Sequence, residues 1–240
     1  MKNLFVIPAR SGSKEIRDKN IKIINGLPMF AWSILHAKFL ASSNDRICFS
    51  SDNERYLEIA SNFEIDNHKR LKEFSNDDAE LEPLLINLTK EYSLSKQDNV
   101  ILLQPTSPFR SIQTLLNFKK LMDKGSDSIV SLKEVHYFEW LKKDKFFMKN
   151  FKQRMPRQKI TKRYAENGLI YLIKSGIINK EKNRNSAISD GLVCTDIESI
   201  EVDTDLDLEL VNSISKSFNE QWFDYIRTNN LSRFSKFLNF

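Results

Sequence analysis

Two stretches of the chain hold residues whose types and spacing suit work on phosphate. The first, Ile7-Pro8-Ala9-Arg10-Ser11-Gly12-Ser13-Lys14-Glu15-Ile16-Arg17-Asp18-Lys19-Asn20, follows a short apolar run and gathers small residues with several cations. Such a loop can cradle a triphosphate, because N–H groups and cationic side chains neutralise phosphate oxygens at short range. It is neither a Walker loop nor a G-x-G-x-x-G fingerprint, so on composition alone an ordinary polar loop is the better reading. In the second, Glu201-Val202-Asp203, alternate side chains project the same way and place two carboxylates on one face of a predicted strand. Magnesium takes one or two carboxylates and completes its shell with water and substrate phosphates, so a compact pair suffices. Of the acids that follow, Asp205 reads as a cap for the next helix, where carboxylates favour the N-terminal dipole. His36, His68 and His136 are scattered and form no triad or metal cluster.

The elements that must position these residues are legible as apolar runs. Leu4–Ile7, Ile47–Phe49, Val100–Leu103, Ser128–Ser131 and Leu169–Leu172 are short, apolar or β-branched, and far enough apart for helices between them. Helical apolar spacing occurs around Met29 to Leu40, Leu84 to Tyr92 and Leu115 to Met122, and again after the acidic cluster from Leu206 to Ile214. That alternation predicts an α/β fold with a parallel, doubly wound sheet. Leu141 to Arg163 stands apart, with ten Lys or Arg against the single acid Asp144 and with Phe146, Phe147 and Phe151 interleaved. It reads as an insertion, either a solvated basic surface or a flap or subunit contact over anions. Phe218 to Phe240 is aromatic-rich, and its pattern assigns it no role.

Composition narrows the function classes. A chain of 240 residues, 40% hydrophobic and 29% charged, has enough apolar material for one large domain. Thirty-seven basic against thirty-two acidic residues is a mild excess that small polyanionic substrates explain as well as nucleic acid does. No zinc-finger spacing, arginine-rich tail or RNA-binding aromatic signature supports a nucleic-acid partner. Cys48 and Cys194 lie far apart, so neither a disulfide framework nor a zinc site is expected, and a reducing, cytoplasmic setting follows. The start of the chain lacks a signal-peptide core and no stretch approaches the ~20 apolar residues that span a bilayer, so a soluble protein is expected.

The first loop resembles the N-terminal signature of the N-acylneuraminate cytidylyltransferases, the CMP-sialic acid synthetase family with its legionaminate and pseudaminate relatives. The resemblance continues through Leu102-Leu103-Gln104-Pro105-Thr106-Ser107-Pro108-Phe109-Arg110, Arg157-Gln158, Asn167-Gly168-Leu169-Ile170-Tyr171 and Val202-Asp203-Thr204-Asp205-Leu206-Asp207. It implies a Rossmann-like nucleotidyltransferase with a mostly parallel sheet and a small inserted dimerisation lobe. Residues 1–133 and 167–217 would be the core, 134–166 the lobe reaching toward the partner of a homodimer, and 218–240 a C-terminal extension. It also implies that the anomeric hydroxyl of a nonulosonic acid sugar attacks the α-phosphate of CTP with Mg2+ as cofactor.

By the same resemblance, Arg10 and Lys19 meet the triphosphate, with Lys14 in the same signature, and Asn20 contacts the nucleotide. Arg70 lies on the base and ribose side, and Gln104 at a strand end contacts ligand. Arg157 binds the sugar carboxylate, for which a guanidinium offers two parallel donors, and Asn167 and Tyr171 line the sugar side. Asp203, Glu201 and, secondarily, Asp207 are the metal set. Glu15 stands where the family has glycine, and Glu201 where it has aspartate. These departures keep a catalytically silent CTP-binding homologue in view, beside a nucleotidyltransferase for another sugar such as 3-deoxy-manno-octulosonate.

Overall fold

The structure, a computed structural model, describes residues 1–76 and 79–228, without the side chains of 225–228. Six strands run parallel in its main sheet: β1 (Asn3–Pro8), β4 (Arg46–Ser51), β5 (Asp66–Lys69), β6 (Asn99–Leu103), β7 (Ser128–Val135) and β11 (Asp190–Cys194). A seventh, β10 (Arg163–Lys174), lies antiparallel between β6 and β7, giving the order β11-β7-β10-β6-β1-β4-β5. Two small pairs, β2 (Ile23–Ile24) with β3 (Leu27–Pro28) and β8 (Trp140–Lys143) with β9 (Phe146–Lys149), stand apart from it.

The central strands read as unbroken apolar runs because both faces of the sheet are covered. Phe5, Ile7, Ile101, Leu103, Ile170 and Leu172 enter one buried cluster, and their neighbours Leu4, Val6, Val100, Leu102, Tyr171 and Ile173 enter another. The first cluster holds residues of α1 (Met29–Leu40), α2 (Glu54–Ser61), α4 (Ile112–Asp123) and α6 (Asp205–Thr228), and the second those of α3 (Leu81–Glu91) and α5 (Ser175–Glu181). All five strands and four helices expected from the apolar patterns are present.

Three readings change. Glu201–Asp203 is not a strand; it is an irregular segment held where the Val202 N–H donates to the Thr106 carbonyl at 2.8 Å. The cap at the start of α6 is Thr204 with Asp207, not Asp205: the Asp207 carboxylate accepts from the Thr204 N–H (2.8 Å) and hydroxyl (2.8 Å), while Thr204 Oγ1 accepts from the Asp207 N–H (3.2 Å). This is a reciprocal capping box, and the Thr204 pattern three residues ahead of a carboxylate carries its signature. Finally, α6 runs unbroken past residue 217, and one face of it there joins the core: Trp222 is buried, and Phe218 packs on Phe109 with ring centroids 4.7 Å apart. Residues 229–240 of the expected extension lie outside the described residues.

The segment between β7 and β10 carries the β8–β9 hairpin, which turns at Asp144 with φ 52° and exposes every residue of both strands. Trp140 of β8 packs on Phe151 with ring centroids 5.6 Å apart, and the described residues leave the rest of this basic, aromatic hairpin exposed. Among the described residues no helix is long and apolar enough to cross a membrane.

Glu198 ties the end of the sheet to the segment that follows. Its carboxylate accepts from the Ser111 N–H at the start of α4 (2.8 Å) and from the Thr195 N–H (3.0 Å) and hydroxyl (2.8 Å). Burial alone would raise its pKa, but the donors Thr114, Thr195 and Ser111 outweigh it and hold the carboxyl below its ordinary 4.5. With the folded pKa below the unfolded one, the unfolded chain protonates first on acidification. The contribution is therefore fully present above pH 4.5 and fades as pH falls through the folded value. Glu198→Gln is expected to lower stability by about 1–3 kcal/mol at neutral pH, with the difference shrinking below pH 4.5, as urea unfolding across pH would show.

Candidate active site

Since β1, β4 and β6 run the same way, the loops after them leave one end of the sheet, and the chain reverses direction across the sheet between β1 and β6. Ligands of open α/β sheets bind outside the carboxyl ends at such a switch point. A pocket of about 230 Å³ opens there, and Arg10, Lys19, Asn20, Arg70, Gln104 and Thr106 help line it. A larger hollow of about 770 Å³ includes Asn3, Arg46 and Asp66, at the opposite ends of the same strands. Arg46 there already binds Asp66, at 2.8 Å through Nε and 2.6 Å through Nη2, so strand polarity rather than volume selects the smaller pocket.

The loop after β1 is fixed from several sides. The Ser11 N–H and hydroxyl both donate to Asp52, each at 2.7 Å. Asp18, in the left-handed region at φ 54°, accepts from the Tyr56 hydroxyl at 2.9 Å. The buried Asn20 amide donates to the Arg10 carbonyl at 2.9 Å, closing the loop on itself. Glu15 is exposed and absent from the pocket wall, so its carboxylate does not face that space. Lys14 is exposed too and lies off this wall.

Arg70 is 6% exposed, with Nε donating to Ser50 Oγ (3.3 Å) and Nη2 to the Ser50 carbonyl (3.1 Å). Burial, aided by the nearby Arg10 and opposed by Asp52, lowers its pKa to about 10. A guanidinium held by a hydroxyl and a carbonyl keeps net positive charge in the pocket, which favours an anion.

Lys19 joins this wall to the carboxylates: its Nζ lies 2.9 Å from Asp203 Oδ1, across 184 residues of sequence. Glu201 accepts from Thr106 Oγ1 at 3.2 Å. Burial first, then the Asp203 charge, raises the Glu201 pKa above its ordinary value against the opposing pull of Thr106 and Lys19. A buried carboxylate disfavoured by a neighbouring one is the arrangement a divalent cation relieves. Among the described residues no group of three or more His, Cys, Asp or Glu could hold a metal, which leaves a site that borrows oxygens from water and substrate. Glu201 and Asp203 fit magnesium on those terms, while Asp207 Oδ2 is occupied by the cap.

The residues expected on the sugar side lie elsewhere. Asn167 is buried and donates to Ser199 Oγ at 2.9 Å. Tyr171 is core, with its hydroxyl donating to Glu166 at 3.2 Å and its ring under Arg184. Arg157 sits on an exposed single turn, Arg157–Lys159, outside the pocket wall. Thr106, Ser50 and Asp52 were missed as site-building residues. Their common signal is position at or just beyond a strand's carboxyl end, where small polar residues follow an apolar run.

A sequence profile described as Cytidylyltransferase matches residues 4–221. CMP-N,N'-diacetyllegionaminic acid synthase of Legionella pneumophila is 27% identical over 230 residues, covering 89% of this chain and 96% of the relative. Pseudaminic acid cytidylyltransferase of Campylobacter jejuni is 29% identical over 241 residues, covering 93% and 100%. A solved CMP:2-keto-3-deoxy-manno-octonic acid synthetase complexed with CTP shares the fold at TM-score 0.62 and 15% identity, covering 90% of this chain and 99% of that one.

Gly168 lies beside the carboxylates with φ +70°, and a Cβ there would sit 3.4 Å from Ser107 Oγ and 3.5 Å from each Glu201 oxygen. Those contacts are ordinary, so the cost of a side chain is mainly the left-handed backbone. Gly168→Ala is expected to lose about 1–2 kcal/mol of stability by chemical denaturation.

Proposed function

Because the chain belongs to the cytidylyltransferase family, we propose that it activates a nonulosonic acid sugar with CTP, releasing pyrophosphate and forming the CMP-sugar. The observation that carries this reading is the Lys19–Asp203 contact of 2.9 Å, which sets the cation of the phosphate loop against the carboxylate pair at the switch point. The full-length relatives named for legionaminic and pseudaminic acids support the substrate class.

In the reaction the sugar's anomeric hydroxyl oxygen bonds to the α-phosphorus of CTP. The anhydride bond to the β-phosphate breaks, and the hydroxyl proton passes to solvent. Arg10 and Lys19 meet the triphosphate from the β1 loop and stabilise charge that moves onto the departing pyrophosphate. Asn20 in the same loop and Arg70 just past β5 hold the nucleotide, and Gln104 contacts ligand from the end of β6. Lys14 extends the cationic loop at the surface. Asn167 and Tyr171 brace the carboxylate wall from behind through Ser199 and Glu166, and Asp207 completes the acidic segment through its cap. Magnesium held by Glu201 and Asp203 would lower the pKa of the attacking hydroxyl and offset phosphate charge. Glu201 is longer than aspartate by one methylene, and its anchorage to Thr106 takes up that reach.

Arg157, exposed on its own chain, meets the sugar carboxylate in a cytoplasmic homodimer in which each lobe reaches its partner's pocket. The uncovered aromatic face of β8 and β9 is the surface such a dimer would bury.

Arg157→Ala is expected to cost about 30-fold or more in kcat/KM for the acid sugar, the low end of truncating one partner of a buried charge pair, with CTP affinity little changed. Mixing Arg157→Ala with Asp203→Asn chains is expected to restore activity above either alone, because the hybrid dimer contains one complete site. Equal loss of CTP affinity, or no restoration on mixing, would remove Arg157 from the partner's sugar site.

A further inference from the structure

Arg110 is fully buried, and among the described residues none of its hydrogen bonds goes to a carboxylate. Burial lowers its pKa to about 9, opposed by the nearby Cys194 and, more weakly, Glu198. Its Nε and Nη2 donate to the Leu169 carbonyl (3.1 and 2.7 Å), and Nη2 also donates to the Gln104 carbonyl (2.8 Å). Nη1 reaches Ser33 Oγ (3.1 Å) and His36 Nδ1 (3.3 Å) on α1.

Those two carbonyls mark where the sheet gives out. The β6–β10 ladder begins at Ile170 with Leu103, and the β7–β10 register breaks between Glu166 and Tyr171. Leu169 and Gln104 are each one residue past the β6–β10 ladder, so the guanidinium supplies donors where strand partners stop. Gln104 lines the nucleotide pocket, and Leu169 directly follows Asn167 and Gly168 beside Glu201. A planar fork of five N–H groups can serve acceptors on several sides at once, whereas a lysine ammonium offers three donors from one point.

The arginine is itself held from the far end of the chain. Its carbonyl accepts from Trp222 Nε1 at 2.8 Å, across 112 residues of sequence. The Trp222 ring packs against His36 and Phe39, with centroids at 5.0 and 5.2 Å.

We propose that Arg110 is a positioning residue for nucleotidyl transfer and that Trp222 of α6 sets its place. By gripping the Gln104 and Leu169 carbonyls together, the guanidinium keeps the nucleotide wall and the carboxylate-bearing wall in one fixed relation. Neither residue touches substrate. This role rests on the cytidylyltransferase reading above.

The test compares wild type with Arg110→Lys and Trp222→Phe, the latter keeping an aromatic ring while deleting the N–H donor. Steady-state kinetics are normalised to folded protein, and amide hydrogen exchange is followed at residues 104–107 and 167–170 with β1 and β4 as internal reference. Arg110→Lys is expected to lower kcat by on the order of tenfold to a hundredfold, as small misplacements near reacting groups do, with a much smaller change in KM for CTP. Exchange should quicken in both segments while β1 and β4 stay unchanged. Trp222→Phe is expected to show the same pattern at smaller amplitude, and it carries the test alone if Arg110→Lys does not fold. Normal kcat with unaltered exchange at 104–107 and 167–170 would overturn the proposal, as would quickening spread evenly over β1 and β4, which marks plain loss of stability. Absence of turnover in wild type would instead defeat the cytidylyltransferase reading and leave the exchange comparison to decide whether the two walls are coupled.

Discussion

β1 is bonded on one edge to β4 and on the other to β6, all running the same way, so the loops that follow these strands must diverge from one end of the sheet. The gap they leave is the pocket. Polar backbone in that gap has no strand to pair with, and the protein satisfies it with side chains, some from the same loop and some from distant segments. Asp52 meets the Ser11 N–H, Asn20 meets the Arg10 carbonyl, and Arg110 meets Gln104 and Leu169. Buried backbone groups without partners are costly, so each of these contacts is a consequence of where the ladder ends.

Electrostatics at the gap then follow from burial. Arg70 is held by Ser50 rather than by an acid, and Glu201 is pushed toward its neutral form by burial and by Asp203. Lys19 lies between them with its side chain mostly buried, while its partner Asp203 is largely exposed. An ion pair with one solvated member contributes little to stability. Its consequence is geometric, since it fixes the separation of the cationic and acidic halves of the site before any substrate arrives.

Much of this was legible in the amino-acid order. The central strands stand out because two covered faces leave no place for polar residues, and α2, α3 and α4 carry one apolar stripe each, while α1 is buried nearly all round. β5, with the sequence Asp-Asn-His-Lys, is an edge strand without apolar residues and gives hydrophobicity nothing to detect. β11 is an edge strand with two buried residues in five, and the β8–β9 hairpin shows none buried, so composition presents it as a charge run. The cations around Gly12 and the acids around Val202 were recognisable by type, but nothing in their spacing told that Lys19 touches Asp203, because that contact depends on the order of strands. Asp205 and Asp207 are both acids near a helix start, and only the Thr204 reciprocal bonds distinguish the cap. Trp222 fell in a segment whose aromatic pattern carried no role until α6 folded it back onto Arg110.

The central claim, that this pocket joins CMP to a free nonulosonic acid, is most directly tested by pyrophosphate release from purified protein. The panel is sialic, legionaminic, pseudaminic and octulosonic acids and a hexose 1-phosphate, each with magnesium and with CTP, ATP, GTP or UTP. Release is expected with CTP and at least one nine-carbon acid, and with neither the hexose phosphate nor the other nucleotides. Release with the octulosonic acid or the sugar phosphate alone, or CTP binding without release from any acid, would contradict it.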